Sequence, residues 1–161
     1  MLSKLSYGLL LISAMVLALV GNAAYAGETN ITGFYAAAPA GTPIVVKYED
    51  GSSVVMFNLK GFVIVDGTSN PWHGQLMDCN GVGAYAPDGS MKTMGGTCML
   101  TDADGDVQRL PWQATGAQGG TWEAAGGTGK YANMTGNGTY LDGPLADGRI
   151  LNRWKFKQVT R

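Results

Sequence analysis

The chain has one histidine, two cysteines and three glutamates among its 161 residues. Each shortage removes a class of chemistry. With His73 as the sole imidazole, a zinc site lacks its usual donors, and no metal is expected. No nucleophile-elbow sequence accompanies His73, and none of Glu28, Glu49 and Glu123 neighbours it, so no catalytic residue can be assigned. His73 is read as a strand-end residue with a local hydrogen bond. Charged residues make up only 14% of the chain and form no basic block, which excludes a nucleic-acid partner. From residue 27 onward no window shows sustained helical periodicity, and no apolar run is long enough to stay in a bilayer. Cofactor motifs are missing too. Gly129-Lys130 is followed by Tyr131 and not by the Ser or Thr of a phosphate loop. A calcium loop opening at Asp102 would need glycine at its sixth position and glutamate at its twelfth, where Val107 and Gln113 stand. The stretch Asp102-Ala103-Asp104-Gly105-Asp106 is therefore read as a hairpin turn with solvated aspartates. No cofactor is expected.

What is present begins with an address. Lys4 precedes an apolar run from Leu9 to Val20, and Ala24-Tyr25-Ala26 is a small-x-small cleavage pattern. Residues 1–26 are expected to be a cleaved signal peptide and residues 27–161 a single β-barrel domain. The expected location is periplasmic or secreted. Of the 25 glycines, 23 lie after residue 26, where they punctuate apolar runs and read as turns, bulges and corners.

Those runs predict strands near Thr32–Ala37, Ile44–Glu49, Val54–Leu59, Phe62–Val65, Trp72–Gly81, Thr93–Thr101, Val107–Ala114, Thr121–Ala125, Thr139–Leu141 and Ile150–Val159, some of them pieces of one bent strand. Glu49-Asp50-Gly51-Ser52, Ala86-Pro87-Asp88-Gly89 and Ala146-Asp147-Gly148 supply turn chemistry. The fold class is all-β, a small antiparallel closed barrel of about eight strands, with a two-sheet sandwich as its rival. Val54–Phe57 and Phe62–Val65 are apolar on both faces. One face would line the interior, and the other needs a cover. A second subunit, which would make a homo-oligomer, and a packed loop or terminal segment fit equally. Cys79 and Cys98 flank the Pro87-Asp88-Gly89 turn at nearly equal distances, so in an oxidising compartment they are expected to form a disulfide. A bulge at Gly89 would shift them by one residue, and Gly95-Gly96 offers room to compensate.

Gly126-Gly127-Thr128-Gly129-Lys130-Tyr131, with Gly136 beyond, is too rich in glycine for a helix interior and reads as a corner with positive φ at Gly127 or Gly129. It resembles the Gly-Gly-Thr-Gly-x-aromatic corner of the allene oxide cyclase-like barrel superfamily, which includes dirigent proteins and bacterial relatives. The resemblance implies an eight-stranded barrel, often oligomeric, with an apolar cavity. It carries over no active-site residue, because the corner is structural in that superfamily. It also implies a bacterial source, in which the sequons at Asn30, Asn133 and Asn137 would be chance.

The candidate ligand-binding residues are Trp72, Trp112, Asn152, Trp154 and Phe156. The tryptophans are core residues or an aromatic cavity wall, or both. Asn152 alternates with apolar residues of the last strand and is the best candidate for a polar group facing a cavity. The expected function is binding of a small hydrophobic molecule by an exported barrel. A cofactor-independent cyclase or isomerase acting by confinement is the first alternative. A structural or surface-interaction protein with a filled barrel is the second.

Overall fold

A computed structural model describes residues 28–67, 70–116 and 118–159. The signal-peptide reading lies outside these residues. Among the described residues there are nine strands: β1 (Glu28–Pro39), β2 (Ile44–Lys47), β3 (Ser53–Val65), β4 (Leu76–Tyr85), β5 (Met91–Thr101), β6 (Val107–Gly116), β7 (Gly119–Ala125), β8 (Thr135–Leu141) and β9 (Ile150–Val159). They pair antiparallel in the order β1-β9-β8-β7-β6-β5-β4-β3-β2, and a β1–β3 pairing closes eight of them into a barrel. β1 takes the second half of β3, Leu59 to Val65, and β2 takes the first part, Ser53 to Met56. β2 is thus an extra strand beyond the closed wall. This is the expected all-β barrel.

Several boundaries differ from the sequence reading, three of them instructively. Val54–Leu59 and Phe62–Val65 are one strand, β3, running through Lys60 and Gly61. A Cβ at Gly61 would strike the Ala36 carbonyl oxygen, so glycine here lets β1 approach and does not mark a break. Trp72 precedes β4: residues 70–74 form a turn that carries the indole into the end of the barrel. β8 opens at Thr135, four residues earlier than read.

The turns follow one chemistry. In Tyr48–Ser52, Ala86–Ser90, Asp102–Asp106 and Leu145–Arg149, the fourth residue is a glycine with φ between +81° and +86°, and its N–H donates to the carbonyl of the first. In three of them the Asp before that glycine accepts a further bond from the backbone N–H two residues on.

Cys79 and Cys98 are directly opposed on β4 and β5 and joined by a disulfide, with Cα atoms 3.9 Å apart. Ala84 opposes Thr93 while Tyr85 opposes Met91, so Lys92 is the extra residue. The compensating bulge lies there, and Gly95-Gly96 stays in regular register.

The core occupies one end of the barrel, the end where β3 finishes and β4 begins. Inward side chains Trp122, Trp154 and Phe156 meet Trp72 there, and all four are under 5% exposed. Trp122 stacks on Phe156 with centroids 4.6 Å apart, and Trp72 lies 4.8 Å from Phe156. Three inward rings sit across from a strand glycine: Trp154 opposite Gly33, Trp122 opposite Gly138, and Phe57, nearer the open end, opposite Gly81. A Cβ at any of these glycines would run into the ring. Much of the glycine content therefore sits inside strands, making room for aromatics. On the outer face Met56 and Phe62 remain 39% and 47% exposed, and among the described residues nothing covers them.

Candidate functional site

Above the aromatic core the barrel is hollow. A cavity of about 450 Å³ opens at the end where β3 and β9 begin. Its floor and walls come from inward positions of the strands, including Ala37, Val55, Leu59, Leu110 and the Cys79–Cys98 disulfide. Aromatic surface comes from Tyr35, Phe57, Trp112, Trp122 and Tyr140. The rim is made by Pro39, Pro43, Pro144, Ile150 and the pair Asp142–Asn152.

The alternation of β9 assigns its three predicted site residues to different depths. Asn152, Trp154 and Phe156 all point inward, each two residues further from the mouth. Asn152 lines the cavity. Trp154 lies just beneath, stacked on Tyr35 at 5.7 Å, and Phe156 is deeper still. Of the five candidates, Trp112 and Asn152 line the cavity, whereas Trp72, Trp154 and Phe156 pack in the core that forms its floor. Tyr35, Phe57, Tyr140 and Asp142 are cavity residues that the sequence did not single out. Tyr140 and Asp142 are separated by one residue, and neither carries a motif.

Asp142 and Asn152 form the polar rim. Asn152 Nδ2 donates to Asp142 Oδ1 at 2.9 Å, and the Gly143 N–H donates to Asn152 Oδ1 at 3.1 Å. The backbone thus fixes the amide, and the amide fixes the carboxyl. Asp142 is open to solvent as a residue, yet partial enclosure of its carboxyl raises its pKa above the ordinary carboxylate value, against the lowering effect of the Asn152 bond. Burial also raises the pKa values of Tyr35 and Tyr140, with the Asp142 charge adding to the rise at Tyr140. Both phenols stay neutral at physiological pH. Among the described residues no lysine, arginine or histidine lines the cavity.

The opposite end is a closed polar latch. The glycine-rich corner folds as a turn, Gly129–Tyr131, with positive φ at Gly126 (+73°) and Gly129 (+48°). Gly127 does not have positive φ; it is held by lack of space, since a Cβ there would strike the Val107 carbonyl oxygen. Thr128 ties the corner to β6: its N–H donates to the Val107 carbonyl, and its hydroxyl accepts the Val107 N–H. Tyr131, 4% exposed, plugs the barrel end. Its hydroxyl donates to Asp102 at 2.9 Å and accepts from Gln75 at 2.7 Å, and Gln75 in turn accepts from buried Gln108 at 2.7 Å. Lys130 bridges Asp102 at 2.8 Å and Asp104 at 2.6 Å. The expectation of solvated aspartates fails for Asp102, whose side chain is 6% exposed because the corner sits on it. Its Lys130 partner, foremost, holds its pKa at about 2. His73 is also at this end, and its imidazole bonds to the Val65 backbone at 3.3 Å, the local hydrogen bond expected of it.

No family model matches the chain, and no curated protein matches it. Among solved structures, two pterocarpan synthase dirigent proteins share the fold. One is 12% identical, with a TM-score of 0.53 over 84% of this chain and 86% of its own. The other is 11% identical, with a TM-score of 0.52 over 83% of this chain and 96% of its own. At that identity the likeness is one of fold.

Proposed function

We propose that this chain is an exported barrel that holds one small hydrophobic molecule in the cavity between the aromatic core and the Asp142–Asn152 rim. The observation that carries the reading is the cavity itself: about 450 Å³, walled by apolar and aromatic side chains, with polar groups confined to a few positions. A filled-barrel structural protein would have no reason to leave that volume empty at one end while packing four large rings at the other. Export fits the N-terminal charge and apolar run and the Cys79–Cys98 disulfide, which persists in oxidising compartments. The corner motif and the fold shared with dirigent proteins support kinship with the allene oxide cyclase-like superfamily.

The cyclase or isomerase reading has one specific observation in its favour. Asp142 is a carboxyl of raised pKa beside an apolar cavity, an arrangement suited to proton transfer. The fold neighbours described as synthases point the same way.

Tryptophan fluorescence tests the binding reading, because Trp112 and Trp122 are in the cavity wall. Titration with a panel of polyenes, aromatic dyes and aliphatic amphiphiles is expected to give a saturable shift for at least one class. A flat response to every class would leave the structural reading standing. Turnover of a bound polyene or epoxide, lost in Asp142→Asn, would promote the enzymatic one.

A further inference from the structure

Resting on the binding reading, we propose that the cavity is selective for an apolar amine, its protonated nitrogen at Asp142 and its hydrocarbon body in the aromatic well. Three observations lead there. First, among the described residues Asp142 supplies the only formal charge on the cavity lining, and no basic side chain accompanies it. The surface cations nearest in sequence are already engaged: Arg149 with Asp147 at 2.6 Å and Arg153 with Asp66 at 2.8 Å. A carboxylate drawn partly out of water without a cation is an unmet demand, and a ligand ammonium meets it.

Second, the carboxyl is aimed and held. Asn152 binds Oδ1 and is itself locked by the Gly143 N–H. Among the described residues nothing binds Oδ2. A fixed carboxylate with one spent oxygen presents the other to a donor at the cavity mouth.

Third, the wall suits a cation. Tyr35, Phe57, Trp112 and Tyr140 line the cavity, and aromatic rings carry quadrupoles that attract positive charge. The unpartnered indole N–H groups of Trp112 and Trp122 are buried behind the cavity surface, so they give no donors to a carboxylate ligand. A fatty acid would bring a second negative charge to Asp142 with no cation to receive it.

The test is calorimetric titration, near neutral pH, of the parent protein with decylamine, decanol and decanoate, which share one tail and differ in the head. Decylamine is expected to bind about tenfold or more tighter than decanol, with decanoate weakest. Asp142→Asn should erase the amine's advantage. Asp88→Asn makes the same change in net charge at a turn carboxyl outside the cavity, and should preserve it. Decanoate or decanol binding as tightly as decylamine, or an amine preference that survives Asp142→Asn, overturns the assignment while leaving the cavity a hydrophobic site. Failure of all three probes to bind overturns the assignment, and a flat fluorescence response across the wider panel as well overturns the binding reading with it.

Discussion

At the scale of single residues, the barrel is organised by large rings lying over missing side chains. Trp122 covers Gly138, and a Cβ there would meet both the indole and the Lys155 carbonyl oxygen. The ring cannot retreat, because Phe156 is stacked on its other side at 4.6 Å. Gly138→Ala is therefore expected to cost about 1–3 kcal/mol, as overpacked cores do. Gly116→Ala is its control: a Cβ there meets nothing within 4 Å and φ is ordinary, so stability should hold or rise slightly. Urea midpoints of the two variants check both statements. The turn glycines were legible in the sequence, since Asp-Gly after two turn residues names its own conformation. The ring-covered glycines were not. Which glycine faces which ring depends on register, and register is a property of two strands.

At the scale of elements, the glycine corner and the β5–β6 turn form one unit. From sequence, Lys130 reads as an exposed lysine whose removal changes little. The structure instead places its ammonium between Asp102 and Asp104, and its backbone N–H donates to Asp106. Lys130→Ala should lower the melting temperature, alongside Gly127→Ala and Gly129→Ala, each of the latter by about 1 kcal/mol or more. Melting curves of the three variants decide it, and a Lys130→Ala protein melting like the parent would refute the latch. The unit also sets a pH window. The fold lowers the Asp102 pKa from 3.8 to about 2, so its contribution is present above 3.8 and is lost as pH falls toward 2. Burial and the Asp102 bond raise the Tyr131 pKa from 10.0 to about 12, so its contribution is present below 10.0 and is lost as pH rises toward 12. Asp102→Asn should flatten the acid limb of a stability-against-pH curve. The corner's existence was legible from its glycines. Its docking partner was not, because the aspartates of a turn look alike until one of them is covered. The disulfide was legible in full, save that the register correction comes at Lys92. Reducing it should cost about 3 kcal/mol, and the oxidised protein should weigh two hydrogens less than the reduced chain.

At the scale of the whole molecule, the barrel is filled at one end and hollow at the other. Alternation along β9 made its inward face legible, but not the depth at which packing stops. That limit is set by where the turn at residues 70–74 inserts Trp72 among Trp122, Trp154 and Phe156, a contact between elements far apart in the chain. Above them the cavity is lined by aliphatic side chains, rings, the disulfide and the Asp142–Asn152 rim, and the space remains. The central claim is that this space holds one apolar ligand. Ala37 faces it, 7% exposed, and Gly61 stands opposite on β3. Phenylalanine at position 37 would occupy the cavity and leave the latch, at the opposite end of the barrel, in place. The decisive measurement is a calorimetric titration of the parent and of Ala37→Phe, with the strongest binder from the panel, at two temperatures. The expected result is one site per chain in the parent, a negative heat-capacity change, and affinity at least about tenfold weaker in Ala37→Phe with its melting transition retained. Equal affinity in the two proteins would contradict the account, because it would place the ligand somewhere other than the barrel.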